Sequence, residues 1–200
     1  MTDPTPLSTT QPVDPERLNG ILAFIQDAEK LKDTLRSGST SNGRPESTAE
    51  HSWRLALMCL LFEKDLPAVD LKKLLALCII HDLGEAISGD IPAPMQQPGD
   101  DRAERERQDF EALCIPLPKD LRSEMLVLYD EYCSATTPEA RLAKGFDKLE
   151  TMLQHLLMPT QSPEFYEFNL TYGKQQTEAS SLLRQIREVV DAGTRAKLQD

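Results

Sequence analysis

The chain of 200 residues has no excess of positive charge: 22 Lys and Arg stand against 33 Asp and Glu, for a net charge of -11. A broad nucleic-acid surface needs a basic patch, so binding to a nucleic-acid polymer is excluded as the main role. A small phosphate substrate is not excluded, because one metal ion and a few local cations can offset the field at a single site. Long apolar runs are also missing. The longest, LALMCLLF from Leu55 to Phe62, is far too short to span a bilayer, and no membrane partner is expected. The opening stretch, MTDPTPLSTTQPVDP, lacks the basic and apolar regions of a signal peptide. Cysteines are few: Cys59, Cys78, Cys114 and Cys133 include no C-x-x-C pair, and Cys59 and Cys78 sit inside apolar runs. Buried thiols in a reducing compartment follow, and with them a cytoplasmic location. No segment alternates convincingly as a strand, and no repeat recurs.

What is present is helical periodicity. Residues 1–13, rich in Thr and Pro, read as a disordered tail. Asp14-Pro15-Glu16 has the form of a helix start, and apolar spacing from Leu18 carries that helix to about Leu35. SGSTSNGRP, residues 37–45, reads as a loop. Ser47-x-x-Glu50 is a capping box, so Glu50 is assigned to capping rather than catalysis. The helix it opens is apolar around most of its circumference and is expected to be central. Asp70 caps the next helix, which runs into His81-Asp82, and residues 88–100 form a loop. A charged surface helix is expected over 101–113 and another over about 119–133. Thr137-Pro138-Glu139 starts a helix ending near Pro159. After the aromatic segment of 163–173, Thr177 caps a last helix ending at Gly193. The expectation is an all-α bundle of roughly eight helices in one domain over residues 14–193, with a C-terminal tail over 194–200.

Chemistry concentrates between Leu74 and Pro92. LLALCII ends in His81-Asp82, with Glu85 one turn later and Asp90 past a glycine. A carboxylate that directly follows a buried run needs a cation, a helix N-terminus or solvent. A metal site and a helix that merely surfaces are therefore balanced on spacing alone. Glu85 lies at i+4 from His81 and i+3 from Asp82, which favours a divalent ion with an acid close by. His51, taken alone, reads as a capping or core histidine. Asp147, taken alone, reads as a surface residue paired with Lys144 or Lys148.

The segments ESTAEHSW, IIHDLGEAISGDIP and TPEARLAKGFDKLE, in that order, resemble the HD-domain metal-dependent phosphohydrolases, in the 5'-deoxynucleotidase (YfbR-like) branch. The resemblance spans roughly residues 20–190. It implies that His51, His81, Asp82 and Asp147 bind one divalent metal, a mixed N/O set suited to Mn, Fe, Co, Ni, Zn or Mg. It implies Glu85 as the catalytic acid/base, Asp90 as a contact to the nucleotide sugar, and a loop arginine, Arg36, on the 5'-phosphate. Arg44 and Lys148 are further candidate cations for the substrate. The tryptophan usual after that arginine is absent; Ser37 stands there. His155 is left to packing or the surface. The alarmone hydrolases carry a Glu-Asp pair where Glu85-Ala86 stands, and the cyclic-dinucleotide branch needs a Gly-Tyr-Pro that is not present. The implied activity is hydrolysis of (deoxy)nucleoside 5'-monophosphates, with homodimers common among such proteins. The alternatives are another small phosphoester or modified nucleotide as substrate, and a non-catalytic metal- and nucleotide-binding module.

Overall fold

Asp14 opens the fold by accepting a hydrogen bond from the backbone N–H of Arg17 at 2.9 Å, and Pro15 takes the first helical position. The computed structural model describes residues 11–95 and 101–199. Most of the tail expected over 1–13 and residues 96–100 of the expected loop therefore lie outside the described residues. Helix α1 (Pro15–Ala28) stops well short of Leu35. A single 3-10 turn follows, and then β1 (Leu35–Ser39) pairs antiparallel with β2 (Pro45–Ser47) in place of the expected loop. Gly43, at φ 78°, allows the turn that joins them. Alternation could not reveal these strands, because they are short and polar and pack by one edge. The Gln154 amide donates to the Ser39 carbonyl at 2.5 Å and ties β1 to a distant helix.

The capping box expected at Ser47 and Glu50 is present and starts α2 (Thr48–Leu61). Asp70 caps α3 (Leu71–Ile80). Then come the short α4 (Glu85–Ser88), the charged α5 (Arg102–Leu113) and α6 (Lys119–Ser134). Thr137 caps α7 (Pro138–Leu157), which packs against α2, α3 and α6. The aromatic segment forms α8 (Pro163–Thr171), followed by the single turn α9 (Lys174–Thr177). Ser180, not Thr177, caps α10 (Ser181–Lys197). Gly193 does not end that helix. A Cβ there would lie 3.0 Å from Leu156, so the glycine serves close packing of α10 on α7. Among the described residues, the eight longer helices match the expected all-α architecture.

Two apolar clusters meet at the end of α3. One gathers Leu55, Leu74, Leu77, Phe146, Leu149 and Leu183; the other gathers Ile80, Leu83, Phe110, Leu113 and Tyr129. His81 and Asp82 follow Ile80 at this seam. Gly84 is part of the reason they can: a Cβ there would lie 2.8 Å from the Glu106 carbonyl, so only glycine lets α5 approach so closely. Helix α2 is buried on one face only. Trp53 is 66 % and Leu61 73 % exposed, with Leu57 and Leu60 also exposed, which corrects the expectation of burial all round.

Candidate metal centre

Three elements converge. Helix α2 supplies His51 from its first turn, the end of α3 supplies His81 and Asp82, and the middle of α7 supplies Asp147. All are at least partly buried, and Asp147 is only 4 % exposed, which removes the reading of it as a surface residue. The Nε2 atom of His51 lies 3.2 Å from Asp147 Oδ1 and 3.9 Å from Asp82 Oδ2. The Nε2 atom of His81 lies 2.9 Å from Asp82 Oδ2 and 4.0 Å from Asp147 Oδ1. Yet both imidazole nitrogens are buried without a hydrogen-bond partner among the described residues. An orphaned buried polar nitrogen is costly unless something else is to sit there. Ligands ~2.1 Å from one ion are roughly 3 to 4 Å apart, and these donor spacings fall in that range. The residues present thus fit a divalent ion.

The other ring nitrogens are occupied, which aims each Nε2 inward. His81 Nδ1 donates to the Cys78 carbonyl at 2.9 Å. His51 Nδ1 meets the carboxylate of Glu150, which is fully buried and also accepts from Arg54 Nε at 2.5 Å. Burial works against an ionised Glu150, but His51 and Arg54 together lower its pKa. Sequence reasoning missed this role, because His51 and Glu150 lie 99 residues apart. Lys148 pairs with Asp147 Oδ2 at 2.9 Å. Against the cost of burying it, Lys148 first and then His51 hold Asp147 in its charged form. We expect Glu150→Gln to weaken metal affinity about 10–100-fold, by loosening His51, in a chelator competition titration; an unchanged affinity would refute the supporting role.

A cavity of about 280 Å³ opens on this centre. Glu85 faces into it, and Thr48 donates to its Oε2 at 3.0 Å. Burial, then the charges of Asp82 and Asp90, push the Glu85 carboxyl up to about 9. It is therefore a proton carrier at neutral pH. Thr48, missed in sequence, sits one turn ahead of His51 on α2. Asp90 lines the same cavity, and its carboxyl too is raised by burial. Arg36, on β1, enters the cavity and donates to Asp82 at 3.3 Å and to Thr151 Oγ1 at 3.2 Å. Arg44 does not reach it. Its side chain is 59 % exposed and bound to Glu50 at 2.6 Å, because the hairpin turns it towards the start of α2. His155 is buried and donates to Asn169 Oδ1 at 2.9 Å, but it also lines this cavity, which a residue left to packing or the surface was not expected to do.

Residues 28–187 match the HD domain model. The chain belongs to the HD-domain family. It is 31% identical to the 5'-deoxynucleotidase HDDC2 of Mus musculus over 137 residues, 68% of each chain. It is 34% identical over 143 residues to the 5'-deoxynucleotidase hdd1 of Schizosaccharomyces pombe, across 67% of this chain and 70% of that one. In structure it resembles a predicted metal-dependent phosphohydrolase from Magnetospirillum magnetotacticum MS-1, with a TM-score of 0.80 at 27% identity, covering 94% and 96% of the two chains. This HD protein is a metal-dependent hydrolase, and its buried His51, His81 and Asp147 form a cluster able to hold the ion.

Proposed function

We propose that the protein hydrolyses deoxynucleoside 5'-monophosphates to nucleoside and phosphate, as the names of its relatives describe for them. One observation carries the reading: two buried, unpartnered imidazole nitrogens face two carboxylates, with the buried Glu85 carboxyl in the same open pocket. His51, His81, Asp82 and Asp147 would hold the ion. When bound, it supplies charge that polarises the phosphoryl group and acidifies water. Arg36 and Lys148 border the same pocket and are placed to take phosphate oxygens once the ion neutralises Asp82 and Asp147. Asp90 is assigned to the sugar hydroxyl. Glu85 gives its proton to the 5'-oxygen as the P–O bond breaks and water adds to phosphorus.

Phosphate release from a panel of deoxynucleoside and nucleoside 5'-monophosphates tests this. We expect release from the deoxynucleotides, abolished by chelator and restored by Mn or Co; release from none of the panel would end the reading. A second reading, a modified nucleotide or other small phosphoester, has one observation in its favour: Ser37 lines the pocket where relatives of this branch place tryptophan.

Two further features belong to this reading. The exposed apolar stripe of Trp53, Leu57, Leu60 and Leu61 supports a homodimer, which light scattering measures directly. The free thiols Cys59, Cys78, Cys114 and Cys133 suit the cytoplasm. Among the described residues, no helix is long and apolar enough to cross a membrane.

A further inference from the structure

A second cavity, of about 340 Å³, adjoins the metal centre. It shares most of its lining with the main pocket, Arg102, Lys144, Asp147, Lys148 and Tyr172 among them, and continues past them to Gly173 and Gln176. Asp147 and Lys148 mark the phosphate end. Ala93 lies three residues beyond Asp90, the residue assigned to the sugar. A nucleotide anchored at these points has this second cavity beside it.

The side chains waiting there suit a base. Tyr172 presents an aromatic ring whose centroid is 5.3 Å from Lys148 Nζ, with Phe168 packed beside it at 5.4 Å. Its backbone is held from behind by Arg187 of α10. That guanidinium donates to the carbonyls of Tyr172 at 2.6 Å, Leu170 at 3.0 Å and Asn169 at 3.1 Å, all at the end of α8. Gly173, at φ 65°, then turns the chain away; a Cβ there would lie 2.7 Å from Lys148. The ring is therefore preorganised, which lowers the entropic cost of using it. Among the described residues the Gln176 side-chain amide has no hydrogen-bond partner, although the residue is half-buried. Lys144 rests its ammonium 4.2 Å over the Tyr132 ring, with no carboxylate at ion-pair distance among the described residues.

We propose that this cavity is the nucleobase subsite, in which the Tyr172 ring carries the face of the base while the Gln176 amide and the Lys144 ammonium address its polar edge. The inference rests on the nucleotidase reading above. Arg102, Lys144 and Lys148 also line the cavity, but Arg102 is paired with Glu106 at 3.3 Å and Lys148 with Asp147 at 2.9 Å, so a second phosphate would have to compete with these carboxylates. Stacking accepts every base, and an amide can both donate and accept, so the subsite tolerates different bases.

The test compares kcat/KM of the Mn-loaded protein for deoxyguanosine 5'-monophosphate and for 2-deoxyribose 5-phosphate, which keeps the sugar and phosphate but has no base. The wild-type protein should prefer the nucleotide by about tenfold or more. Tyr172→Ala should lower that preference about tenfold, chiefly through KM, and Tyr172→Phe should retain it. Gln176→Ala, which removes an amide with no partner in the fold, should lower the preference as well and serves if Tyr172→Ala does not fold. Hydrolysis of both compounds with equal efficiency would overturn the subsite and leave the nucleotidase reading standing. So would a preference that survives both alanine variants. Hydrolysis of neither compound, or of any other nucleotide, would end the nucleotidase reading and the subsite with it.

Discussion

Glu85→Gln is expected to lower kcat about 10³-fold while the protein keeps its metal. The carboxyl is buried in the pocket and pushed up to about 9, by burial first and by Asp82 and Asp90 next, so it enters the reaction carrying its proton. Glutamine has nearly the same shape and can still accept the Thr48 hydroxyl bond that spans 3.0 Å in the native protein. It cannot release a proton to the departing 5'-oxygen. The loss should therefore fall on kcat and spare both KM and metal content, measured by steady-state kinetics and elemental analysis on one preparation. The leaving group supplies a second check. An aryl phosphate whose phenolate departs without help should lose far less rate than a nucleotide does. Metal loss equal to the rate loss would show that Glu85 is a ligand, contrary to the role assigned here.

Asp82→Ala should remove both the metal and the activity. Its Oδ2 atom stands 2.9 Å from His81 Nε2 and 3.9 Å from His51 Nε2, so one carboxylate completes the set from the α3 side. Removing it also leaves Arg36 facing the pocket without its partner at 3.3 Å. The cation then repels the incoming ion instead of being neutralised. The drop in metal affinity should exceed the ~10–100-fold that follows loss of a supporting hydrogen bond, and so exceed that of Glu150→Gln. Calorimetric titration with Mn gives the comparison. An Asp82→Ala protein that binds metal as tightly as Glu150→Gln would remove Asp82 from the ligand set. Taken together, the two substitutions separate holding the ion from moving the proton.

Much of the fold was legible because helix caps are local. Asp14, Ser47 with Glu50, Asp70 and Thr137 each act on a backbone N–H three residues away, and each caps a helix as expected. The errors fell where a local signal had a distant use. Gly193 resembles a helix stop, but its missing Cβ makes room for Leu156. The polar hairpin of residues 35–47 shows no alternation, since its anchor is Gln154, 115 residues from Ser39. Arg44 and Arg36 lie on the two arms of that hairpin, and only its geometry sends Arg36 to the metal centre and Arg44 to Glu50.

The segment from Leu74 to Pro92 states the chemistry on its own: a buried run that ends in His81-Asp82, with Glu85 a turn later, needs a cation or water nearby. Its composition determined that much; periodicity along the chain gave the helical class, and the resemblance to the HD-domain family implied the ligand set. The tertiary structure alone decided that Asp147 is buried rather than surface-paired and that Glu150 backs His51 across 99 residues. It also decided that Tyr172 borders the reaction pocket and Gln176 the cavity beside it. The physical reason is reach. Capping and periodicity act within a turn or two of one helix, whereas a metal centre is closed by side chains from separate helices, and their meeting depends on how α2, α3 and α7 pack.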